Sequence, residues 1–126
     1  MKLDFIDNIN DYGDNVVRLY NFDKWEAIEF SMLIQTIIIE NKCRLDLSKV
    51  EFIERRNCNL IMGLFTRDEG ILSPDNENFF CILTLESYKN MLKLIKPFCK
   101  KDLKTHQYLY DLDIPTDFLF APAGTW

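Results

Sequence analysis

The chain has 126 residues, 48% of them hydrophobic and 28% charged, with a formal net charge of −5. That length suits a single domain over 1–126, and ten Phe, five Tyr and two Trp supply bulky side chains for its core. The balance excludes intrinsic disorder, collagen-like repeats and a disulfide-dense miniprotein.

No apolar run approaches the roughly 20 residues that span a bilayer. The N-terminal stretch carries Lys2 followed by Asp4, Asp7, Asp11 and Asp14, which suits neither region of a secretory signal. A cytoplasmic protein with no membrane contact is therefore expected. Cys43, Cys58, Cys81 and Cys99 form no CxxC pair, and His106 is the only histidine, so the cysteines read as free thiols and no metal site is expected.

Residues 1–15 are polar and acidic without a clear period and read as a loosely held arm. Val16 to Tyr20, rich in β-branched and aromatic side chains, predicts the first strand. Asn21 or Asp23 then caps a helix over 24–41. Ala27, Phe30, Leu33, Ile34, Ile37 and Ile38 make its wide core-facing stripe. Trp25, Ile28, Met32 and Ile39 make a second, narrower one, to be covered by the arm, by the C-terminal tail or by a partner.

Leu45-Asp46-Leu47 and Val50 to Ile53 are short strand candidates, and Asn59 to Phe65 is a stronger one. Gly63 within it suggests a bulge or a close approach. Arg67 to Gly70 and Ser73 to Asn78 are turn-rich with acidic tips. Phe79 to Leu83 reads as a buried strand, paired hairpin-like with 59–65; Ile71-Leu72 between them is a further pairing candidate. Thr84 caps a second helix over 85–96, which Pro97 should end. A short third helix is expected within 98–111, then an extended tail. Phe118-Leu119-Phe120 and Trp126 in that tail call for docking on the second stripe or on an open sheet face. Strands lying between two helices favour α+β: a small, mainly antiparallel sheet with two principal helices on one face and the C-terminal tail docked on the core.

Chemistry-bearing patterns are sparse. Four dispersed glycines write no phosphate loop or dinucleotide fingerprint, so no cofactor is expected. Cys99 and His106 could share a helix face, but nothing supplies an orienting group or an oxyanion hole. Among the paired carboxylates, Asp111 and Asp113 with Asp117 have the most apolar surroundings. Residues 89–104 hold six lysines against one aspartate, leaving −10 for the rest of the chain. A solvated helix face explains that spacing; the acidic balance makes nucleic acid an unfavoured partner. Arg55-Arg56-Asn57-Cys58-Asn59 is a compact polar knot in which paired arginines could recognise a carboxylate.

The segments Asn15 to Asp23, Phe52-Ile53-Glu54, Asn57 to Leu60, Tyr108 to Asp113 and Ala123 to Trp126 together resemble a set of small bacterial proteins of gut anaerobes. That resemblance implies a cytosolic accessory protein and carries over no catalytic residue and no cofactor.

The expected function is a non-catalytic protein-binding domain, within that class an immunity-type protein that masks a toxin or effector. An acidic surface can occupy a basic, nucleic-acid-directed site. The contact candidates are Asp68, Glu69, Asp75 and Glu77 on the acidic loops, with Trp25 and Met32 on the second stripe. Two alternatives remain: a small hydrolase or ligand-binding enzyme built on Asp111, Asp113 and His106, and a self-associating structural subunit.

Overall fold

Lys2–Ile6 forms the first strand, β1, in the computed structural model, which describes residues 1–7, 13–111 and 116–125. Leu3 faces the core while Asp4 faces Arg18 of the next strand, β2 (Asn15–Tyr20), its carboxylate oxygens 2.7 and 3.0 Å from the guanidinium. The expected loose arm is thus a paired strand at its start; the charges that made it look solvated are met across the ladder. Residues 8–12 of that arm lie outside the described residues.

α1 (Lys24–Leu33) starts at Asp23, whose side chain accepts the Glu26 N–H while Glu26 accepts the Asp23 N–H. It runs directly into a π-helical segment, Ile34–Glu40. The wider turn brings Ile38 and Ile39 both into the core, which removes Ile39 from the second stripe. β3 (Leu45–Asp46) is followed by a 3-10 turn at Leu47–Lys49. The strand expected over 50–53 is absent; β4 is the two-residue Glu54–Arg55. β5 (Asn59–Leu64), β6 (Gly70–Leu72) and β7 (Asn78–Leu83) follow.

α2 (Leu85–Lys100) begins at the expected Thr84 cap but continues through Pro97. Pro97 and Lys93, whose carbonyl it leaves unbonded, are both exposed on the outer side of the helix, and buried Phe98 anchors the next turn. No helix forms within 101–111; β8 (Gln107–Tyr110) occupies that stretch, and β9 (Thr116–Ala121) follows.

The α+β class holds, but the sheet is not small and mainly antiparallel. The described residues form two mixed sheets, ordered β4-β1-β2-β9-β8 and β3-β5-β7-β6. β2 with β9, β1 with β4 and β5 with β7 run parallel; the other neighbours run antiparallel. The hairpin expected of 59–65 and 79–83 is therefore a parallel pair, with Ile71 and Leu72 on its outer edge. One continuous core joins both sheets to both helices.

The tail is corrected most. Its Phe118–Phe120 stretch lies inside a sheet, as the strand between β2 and β8. Phe118 and Phe120 enter the main core, while Leu119 and Ala121 pack with Val16 on the opposite face. The docking expected of Trp126 falls outside the described residues. Among the described residues, no helix is long and apolar enough to cross a membrane.

Candidate partner-binding site

Once α1 has buried Ala27 and Phe30, its outer side is left to the second stripe. Trp25 and Met32 stand 66% and 62% exposed at its two ends, with half-buried Ile28 between them. Lys24 Nζ lies 4.5 Å from the centre of the Trp25 ring and holds it by a cation–π contact.

A groove runs between this helix and the 44–52 segment. Its deeper part, about 480 Å³, has an apolar floor of Leu33, Ile37, Leu45, Val50 and Phe52. A shallower part of about 320 Å³ continues it beneath Trp25, with Glu29, Glu51 and Phe52 common to both. The groove is polarised along its length. Asp23, Glu26, Glu29 and Glu51 line the Trp25 end; Arg44 and Lys49, with Asp46, line the other. Gly63 on β5 accommodates Arg44, whose Cγ lies 3.4 Å from where a Cβ on that glycine would stand.

The four acidic loop residues line neither part of this groove. Asp68 accepts the Thr84 N–H at 2.7 Å and the Ser87 hydroxyl at 2.6 Å, which ties the 67–70 turn to the start of α2. Burial opposes its ionisation, but these bonds hold its carboxyl below the usual range. Glu69 pairs with Arg67 at 2.7 Å. Asp75 accepts the N–H groups of Asn78 and Glu77, both at 2.9 Å, which lowers its carboxyl to about 2. Glu77 is exposed. Asp68 and Asp75 are therefore turn-forming residues, and reversing their charge would disturb the fold as well as any interface.

The alternative set of Asp111, Asp113 and His106 falls only partly within the described residues. His106 is exposed and lies edge-on to Tyr108, with ring centres 5.8 Å apart; Asp111 is exposed, and Asp113 is outside the described residues. α2 ends before His106, so Cys99 and His106 share no helix face. The fold instead draws Asp14 toward Asp111 and Asp117, a neighbour that sequence spacing could not reveal. Burial, then the charges of Asp14 and Asp111, push the Asp117 carboxyl up to about 6. The six exposed lysines of 89–104 form the solvated face expected of them. All four cysteines are free thiols, and burial raises those of Cys58 and Cys81 to about 12.

A pH dependence follows from Asp117. Its folded value lies above the ordinary 3.8, so between those values the folded chain holds more protons than the unfolded one. Stability should fall as pH rises through that window and level off above it. Asp117→Asn should gain about 1 kcal/mol at neutral pH after allowance for solvent screening, and nothing below about pH 4. Melting temperatures of both proteins across the range check this; a gain that persists in acid would refute it.

No family model matches the sequence, and no curated protein matches it.

Proposed function

We propose that this chain is a non-catalytic, cytoplasmic protein-binding domain whose α1 groove receives a basic, amphipathic segment of its partner. The observation carrying this reading is exposed Trp25 beside an apolar floor with a carboxylate-rich end, with exposed Met32 further along the same helix. Aromatic and Met side chains anchor interfaces because they desolvate large area at modest entropic cost, while flanking charges guide approach. Apolar partner side chains would enter the floor, and a Lys or Arg would meet Glu29 and Glu51. With a net charge of −5, a basic toxin or effector is the partner class that fits, and the immunity-type role is the form this binding takes.

Titration calorimetry with a cationic amphipathic peptide of Lys and Leu, and with its Glu-for-Lys counterpart, tests the reading on the native chain and on the variant alike. The cationic peptide should bind, and more weakly as salt is added. Trp25→Ala should reduce its affinity at least tenfold, about 1.4 kcal/mol. Equal binding of the acidic peptide, or unchanged affinity in Trp25→Ala, would sink it.

A further inference from the structure

The polar knot at Arg55–Asn59 plays no part in the groove. It forms where the chain crosses from β4 of one sheet to β5 of the other, and with Glu77 and Asn78 it lines a polar cavity of about 340 Å³. We propose that this cavity binds a small zwitterion with a carboxylate and an ammonium on the same carbon, the chemistry of a free α-amino acid.

The walls are fixed before any ligand arrives. The Asn57 amide accepts the Phe5 N–H at 2.8 Å and donates to the Phe5 carbonyl at 2.9 Å, as a strand neighbour would. The Asn59 N–H donates to the Glu77 carbonyl at 2.8 Å, and the Asp75 turn holds the Glu77 and Asn78 N–H groups. Such a frame binds without first having to order itself.

The cavity's charges are of both signs. Arg56 pairs with Glu54 at 2.6 Å, whereas Arg55 and Glu77 make no ion pair among the described residues. Asn59, only 8% exposed, donates its amide N–H to Asp46 at 2.9 Å; its amide oxygen has no partner among the described residues. A buried acceptor of this kind calls for a donor. An ammonium supplies three donors, enough for Glu77 and the Asn59 oxygen together, and a carboxylate suits the two-pronged guanidinium of Arg55. A simple anion would meet Glu77, and a simple cation would meet Arg55. Only a ligand carrying both charges satisfies both walls.

The test is a thermal-shift and calorimetric screen of the twenty amino acids at about 10 mM. Each is compared with the amine lacking its carboxylate and the acid lacking its amine. At least one amino acid should raise the melting temperature by about 4 °C, and its single-charge analogues should not. Arg55→Gln and Glu77→Gln should each weaken binding at least tenfold and leave the unliganded melting temperature unchanged, since both side chains are exposed. Trp25→Ala should leave amino-acid binding intact, which separates this site from the groove. The proposal is overturned if no amino acid binds, if an amine or acid alone binds equally well, or if either variant keeps full affinity.

Discussion

Phe120→Ala is expected to destabilise the fold by about 3–5 kcal/mol, a large fraction of the 5–15 kcal/mol that holds an ordinary domain together. Phe120 is fully buried in the middle of the first sheet and meets three other rings. Its ring centre lies 4.1 Å from that of Phe22 before α1, 5.9 Å from Phe30 within α1, and 5.2 Å from Phe98 in the last turn of α2. One side chain thus joins β9, both helices and the turn into α1. Truncation leaves a void bordered by elements that cannot all close on it, because each is tied into its own ladder or helix. The urea midpoint should fall with an unchanged slope. Leu119→Ala, on the opposite face with Val16 and Ala121, removes a side chain from a much smaller cluster and should do less damage. A loss at Phe120 below about 1 kcal/mol would mean the rings can repack around the gap.

That same strand shows where sequence reasoning stopped short. Phe118-Leu119-Phe120 is a continuous apolar run, the pattern of a strand buried on both faces. Prolines on either side and a position near the end of the chain made it read as a tail. β1 was missed among the acidic residues around it: the match of Asp4 to Arg18 depends on which strand lies alongside, and pairing between strands is not written in either one. The local signals fared well for the same reason. The Asp23 and Thr84 caps and the core stripe of α1 involve residues within a turn of one another. Pro97 was misread because its penalty depends on whether the freed carbonyl meets water, a property of the packed helix. Of the candidate site, Trp25 at the groove and Met32 outside it were visible as a helical stripe. Glu51 and Phe52 on the opposite wall were not, since only the turn after β3 brings them there.

Asp46→Ala should destabilise the fold by about 2–3 kcal/mol, more than its position in a two-residue strand suggests. One oxygen of its carboxylate accepts the Ser48 N–H at 3.0 Å, the Ser48 hydroxyl at 2.7 Å and the Asn59 amide N–H at 2.9 Å. Without it the buried Asn59 amide has neither end bonded, and an unsatisfied buried group is the expensive case. Asp46→Asn keeps an accepting oxygen and should lose less than half as much. Burial opposes ionisation of Asp46, but the bonds from Asn59 and Ser48 outweigh it and hold the carboxyl below its ordinary value. The folded value being lowered, this stabilisation is complete above the ordinary carboxylate range and is lost as pH falls through the folded value. The gap between the native chain and Asp46→Asn should therefore narrow in acid. The decisive comparison is the double variant Asp46→Ala with Asn59→Leu. Removing both partners takes away the orphaned amide, so the pair should be more stable than Asp46→Ala alone, and simple additivity would count against the linkage. The same bond sets which way the Asn59 amide points, because its N–H must face Asp46. Loss of Asp46 should thus also weaken zwitterion binding at the neighbouring cavity, with Arg55 and Glu77 both still in place.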